Sequence, residues 1–246
     1  MLIASALFAL SVVQTGDDAF RKRHLPDQAR LALTHYREAA LEQPAESQRQ
    51  WRVAMATQFV GMRLETDPQI KQSLFEEGKL AATRSLVDNE ACAACHFWLA
   101  INQALYGESV GPFKMLFTLA SVRSHLLRAA ELDPGYAYGG PYRVLGVIAR
   151  SLPGILGGSR AEAREYFLQA IAASPEEPMN HWELVQNLAE DDVEEAKAAA
   201  KRALQLPEPP SERVESRDAW SELRAWWESH SFTARQHHSG SSNGRS

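Results

Sequence analysis

Apolar side chains recur at i, i+3, i+4 and i+7 through most of this chain, the spacing of one face of an α-helix. The spacing predicts helices over Ala29–Leu41, Trp51–Leu64, Gln72–Val87, Ala91–Tyr106, Leu119–Leu132, Tyr142–Leu152, Ala161–Ala173, His181–Ala189 and Val193–Leu206. Proline cannot continue a helix, so Pro44, Pro68, Pro134, Pro175 and Pro207 read as stops. No segment has the strict alternation of a strand, and the many alanines with few Val, Ile and Thr runs agree with helix.

The punctuation repeats. An Ala/Leu helix end followed by proline occurs at Pro134, Pro175 and Pro207, after 41 and 32 residues, around the 34-residue tetratricopeptide (TPR) period. Small residues let paired helices approach closely while large ones fill the groove of the next pair. The fold class read from this is all-α, TPR-like helical hairpins stacked as a short superhelix, with a long insert between Gly107 and Leu119. Trp220, Leu223 and Trp227 share one face of a further helix, Arg213–Ser229, which reads as a cap on the last repeat.

The 246 residues carry a formal net charge of −5 and 45% hydrophobic residues, a globular composition. An acidic balance without a long Lys/Arg cluster argues against nucleic acid as partner. Leu2–Val13 is apolar but too short to span a bilayer, which takes about 20 residues. It suits the core of a secretory signal, with a buried first helix as the alternative. The organisation expected is a signal peptide over 1–16, a repeat domain over 17–210, a capping helix over 211–230 and a disordered polar tail over 231–246 that contains His237 and His238. The protein is then exported, periplasmic, and without a cysteine for lipid attachment.

Gly140-Pro141-Tyr142 opens one predicted helix, Leu152-Pro153-Gly154 with Gly157-Gly158 closes it, and Ala163, Phe167, Ala170 and Pro175 follow. This string resembles the T-component (TatT) family of TRAP transporters. The resemblance is strongest over about residues 90–205. It implies a TPR-like fold and a periplasmic, non-enzymatic role beside a TRAP solute-binding protein, or with a small organic or apolar ligand passed to one. It departs from the family in having Ser159 after the double glycine and no N-terminal cysteine. The candidate binding residues are Tyr136, Tyr138 and Tyr142, and the loop residues Leu152, Pro153, Gly154, Gly157 and Gly158. Aromatic clusters suit binding surfaces, and loops on repeat scaffolds often carry function. Buried tyrosine packing and a tight connection between repeats remain the alternatives, and the three glycines read as sites of positive φ or close approach.

Cys92-Ala93-Ala94-Cys95-His96 has the form of a c-type haem attachment sequence, with His96 as axial ligand. Ala91, Cys92, Ala94 and Cys95 are also the small residues a TPR helix needs, so packing is the leading expectation, with haem and a Cys92–Cys95 disulfide as alternatives. No cofactor is expected. The acidic run Asp191, Asp192, Glu194 and Glu195 reads as a solvated helix start. The sequence has no G-x-x-x-x-G-K, H-E-x-x-H or G-x-S-x-G string, so it offers no motif for catalysis. A general TPR protein-interaction scaffold is the main alternative to the transporter reading, and self-association is left open.

Overall fold

The structure is a computed structural model that describes residues 2–231, with side chains from residue 12 onward. Among the described residues it is built of α-helices with one short 3-10 turn and no strand. The chain divides after Tyr136 into two compact units. The first contains α1 (Leu2–Arg21), α2 (Pro26–Glu42), α3 (Ser47–Arg63), α4 (Pro68–Asp88), α5 (Ala93–Val110) and α6 (Pro112–Leu132). The second contains α7 (Gly140–Ser151), α8 (Arg160–Ala173), α9 (Pro178–Ala189), α10 (Val193–Ala203) and α11 (Val214–Ser231).

Within each unit every helix packs on the next, and some alternate helices also touch: α3 with α5 in the first unit, α7 with α9 and α9 with α11 in the second. That is the contact pattern of stacked hairpins. Small residues make the close approaches possible. Ala29, Ala32, Ala39, Ala54, Ala56 and Ala81 have no exposed surface. Tyr36, Val53, Val60 and Leu74 fill the space between them. In the second unit Phe167 plays the large residue against Ala149, Ala163, Ala196 and Ala200.

Polar ties join equivalent helices of neighbouring repeats. Arg37 on α2 reaches Glu77 on α4 at 2.6 Å, and Arg164 on α8 reaches Glu195 on α10 at 2.6 Å. Arg150 on α7 meets Glu183 on α9 at 2.5 Å, and the Trp182 indole on α9 donates to Glu222 on α11 at 2.6 Å. Such exposed or half-exposed pairs contribute little stability each. What they fix is the register of one hairpin on the next.

Several boundaries differ from the sequence reading. Pro68, read as a stop, is the first residue of α4, where its missing N–H costs nothing. The preceding Asp67 caps that helix by accepting from the Gln69 and Ile70 amides. Pro178 likewise starts α9. The expected insert between Gly107 and Leu119 is helical almost throughout, because α5 continues to Val110, α6 begins at Pro112, and Gly111 alone joins them. The cap is where it was expected. Trp220 and Leu223 of α11 are buried, and Trp226 and Trp227 pack partly against the same core.

α1 runs without a break through Gly16 and Asp17. Asp17 accepts from the Tyr36 hydroxyl at 2.8 Å and from Arg52 Nε at 2.8 Å, and Ala19 is buried among α2 and α3 residues. Burial, followed by the Asp17 hydrogen bond, pushes the Tyr36 hydroxyl well above the ordinary tyrosine range. Among the described residues no helix is long and apolar enough to cross a membrane. Residues 232–246, with His237 and His238, lie outside the described residues.

Candidate functional site

The N-terminal unit has a groove of about 480 Å³ built from three successive helices. The last turns of α4 supply Thr83, Leu86 and Val87, the start of α5 supplies His96 and Leu99, and α6 supplies His125 and Arg128, with Glu90 from the connecting loop. Val87 is 87% exposed, an aliphatic side chain left in water at the groove's edge. Leu86, Val87 and Leu99 make the apolar part of the wall, and Thr83, Glu90, the two histidines and Arg128 make the polar part.

The histidines are organised by the backbone. His96 Nε2 lies 3.0 Å from the Glu90 carbonyl, which can only accept, so this ring nitrogen carries the proton. His96 Nδ1 is left as an acceptor, and His125 Nδ1 lies 2.8 Å from it as the donor. The rings are tilted at 35° with centroids 5.1 Å apart. Burial, and then the neighbouring His96, lower the pKa of His125 from the usual 6.5. A second proton would place a charge in this partly desolvated pair. His181 in the other unit is shifted the same way, by burial first, with its Nε2 at 2.7 Å from the Pro175 carbonyl.

Acid therefore destabilises the fold through these groups. A histidine whose folded pKa lies below its unfolded value contributes stability that is fully present above about 6.5 and lost as pH falls through the folded pKa. The urea midpoint of the protein is expected to be lower at about pH 5.5 than at about pH 7.5. His125→Gln is expected to reduce that difference. An unchanged difference in the variant would show that His125 does not carry the effect.

At the start of α5, next to the groove, Cys92 and Cys95 are joined as a disulfide with Sγ atoms 2.02 Å apart. Both are buried, packed with Ala94 against Trp51, Leu86, Trp98 and Tyr136. The leading expectation of thiols that merely pack is thus replaced by a buried disulfide at the helix start. These residues do not fit haem attachment in this arrangement. Thioether formation needs two free thiols, the space around them is filled by aromatic rings, and both His96 ring nitrogens are engaged.

The predicted binding residues are divided between the two units. Tyr136 belongs to the first unit, where its hydroxyl accepts from the Trp98 indole at 2.7 Å and its ring meets Phe97 edge-on at 5.4 Å. Burial pushes its pKa well above the ordinary tyrosine value. Tyr138 and Tyr142 stand at the start of α7, and Leu152–Gly158 at its end, about 18 Å away for 12 residues rising about 1.5 Å each. Tyr138 works as part of a clasp. Ala137 and Tyr138 adopt positive φ of 48° and 58°, and their carbonyls accept from Arg143. Asn180 Nδ2 also donates to the Tyr138 carbonyl at 3.1 Å, and the Arg213 guanidinium stacks 4.1 Å from the Tyr138 ring. Arg213 then pairs with the buried carboxylate of Glu177, which also accepts from Ser216 at 3.1 Å.

In the loop, Gly157 has positive φ of 82°, and a Cβ at Gly158 would fall 1.7 Å from the Leu152 carbonyl oxygen, so both positions require glycine. Gly154 has neither constraint, contrary to the expectation for all three. The loop's apolar tip is Ile155, which is 94% exposed.

Val87, Glu90, His125 and Arg128 were missed in the sequence because each looked like an ordinary helix or loop residue. Phe113 and Phe117 were missed because their segment read as an insert. Their i, i+4 spacing beside Leu116 was the available signal.

A family model described as Regulator of microtubule dynamics protein 1-3 matches residues 12–140, just over half the chain. The fold is similar to that of TTC0263, a thermophilic TPR protein of Thermus thermophilus, with a TM-score of 0.62 at 18% identity over 86% of this chain and 98% of that one. It is also similar to PilF of Pseudomonas aeruginosa, with a TM-score of 0.57 at 15% identity over 97% of this chain and 95% of that one. No curated protein matches the chain.

Proposed function

We propose that this chain, which belongs to the Regulator of microtubule dynamics protein 1-3 family, is a protein-interaction scaffold that works by binding rather than by catalysis. The observation that carries the reading is the groove shared by α4, α5 and α6, an open trough with both apolar and charged lining, set on a stack of hairpins. Repeat proteins bind through extended surfaces of this kind, because each added hairpin lengthens the surface without a new fold. The family's description makes a cytoskeletal protein the first partner class to try. The transporter-partner reading, with a solute-binding protein or a small organic ligand as occupant, rests on the Gly140–Pro175 string alone, and the matched family model ends at residue 140.

The test is capture from native cell extract by the wild-type protein and by a Val87→Asp, Arg128→Glu variant. Both positions are exposed, so the variant is expected to keep its helical circular dichroism. A partner held by wild type and lost by the variant supports the groove as the binding site. A partner retained equally by both would place binding elsewhere. A TRAP solute-binding protein as the captured species would revive the transporter reading.

A further inference from the structure

The outer face of α6 carries a second feature that the groove does not use. Phe113 and Phe117 are 81% and 85% exposed, an unusual amount of aromatic surface to leave in water. Ala120 and Ser124 are exposed too, and Leu127 is 42% exposed. The five positions follow one another at spacings of 4, 3, 4 and 3. That alternation averages about 3.5 residues, the seam period of helices that pack on one another by inserting side chains between those of a partner helix.

The edges of the seam give the partner's charge. Lys114 and Arg128 flank it in the positions next to the seam on one side, and Arg123 on the other. Arg128 is held beside Glu131 at 3.0 Å, and Glu131 is the only acidic residue of the helix. α6 thus carries three basic residues and one acidic one in a chain whose net charge is −5. A second copy of α6 laid along the first, in either direction, would bring basic edge against basic edge. An acidic edge would be attracted.

We infer that the outer face of α6 docks an amphipathic helix of a partner protein whose apolar seam is edged by acidic residues. This rests on the scaffold reading and gives it a partner type and a second surface. Phe113 and Phe117 enter between the partner's seam side chains, and Lys114, Arg123 and Arg128 set its direction and exclude basic-edged helices. Arg128 also lines the groove, so a helix lying along the seam ends beside it.

The experiment uses the full chain and two synthetic helical peptides of the length of α6, 21 residues. Both have Leu at the seam positions; one has Glu at the edge positions and the other Lys. Fluorescence anisotropy is expected to show the Glu-edged peptide binding at least tenfold more tightly than the Lys-edged one, with the difference shrinking as salt rises. Phe113→Ser with Phe117→Ser is expected to weaken that binding at least tenfold while the melting temperature stays unchanged, since both rings are exposed. Equal binding of the two peptides, or no effect of the double substitution, would overturn the inference. So would a dimer in light scattering that the double substitution dissolves, or flotation with phosphatidylcholine vesicles that depends on the two phenylalanines. If extract capture is lost with Val87→Asp alone, a groove position off the seam, while the peptides do not bind, the inference fails and the scaffold reading stands.

Discussion

Phe167→Ala is expected to destabilise the C-terminal unit by about 4 kcal/mol, the range for deleting a fully buried aromatic ring. Phe167 has no exposed surface and sits in a core with alanines from α7, α8 and α10, Leu184, Val185 and Leu188 of α9 and Leu223 of α11. The alanines have no side chain long enough to fill the hole, and the aliphatic residues are themselves already buried. Two contacts make the site specific for a flat ring. Gly146 on α7 faces it so closely that an added Cβ would sit 2.4 Å from a ring carbon, and the Arg150 guanidinium lies 5.3 Å from its centroid. Urea unfolding followed by tryptophan fluorescence reads the change, since Trp182, Trp226 and Trp227 pack against the same cluster. A loss below about 1 kcal/mol would mean that the core repacks and that the large-against-small account of this hairpin is wrong.

Gly78→Ala is expected to cost about 2–3 kcal/mol, although alanine is intrinsically about 1 kcal/mol better than glycine inside a helix. The added Cβ would lie 2.2 Å from Asn102 Oδ1 and 2.4 Å from Thr57 Oγ1, both on buried side chains. Asn102 has no room to retreat, because its Nδ2 donates to the Ala54 and Trp98 carbonyls at 2.9 Å each. Its Oδ1 has no hydrogen-bond partner among the described residues. The crossing of α3, α4 and α5 depends on this arrangement. Replacing Asn102 by alanine as well removes the nearer of the two obstructions, so the double variant is expected to lose less than the two single losses added together. Strict additivity in urea midpoints would refute the clash.

The helices were legible because their stability comes from burying one face, and that demand is written at intervals of three and four residues. Their starts were less so. Pro68 and Pro178 look identical to stop signals until the capping by Asp67 or Glu177 is seen. The insert was misread for a different reason: Phe113, Leu116 and Phe117 keep helical spacing but are exposed or partly exposed, so an apolar face did not mean a buried one. The groove was not legible. His96 was noticed for its place after Cys95, yet its partner is His125, 29 residues on, and nothing local marks that pairing. Tyr136 and Tyr138 are two residues apart in sequence and fall in different units, which a reading by proximity merges into one cluster.

The central claim is that the protein acts through a bound protein partner. It is tested most directly by isolating the tagged full chain gently from native extract and weighing it by size-exclusion chromatography with light scattering. The account predicts a complex of fixed stoichiometry containing a second protein, reduced to the chain's own mass by Val87→Asp with Arg128→Glu. A folded chain that elutes alone, with the same mass in both forms, would contradict it.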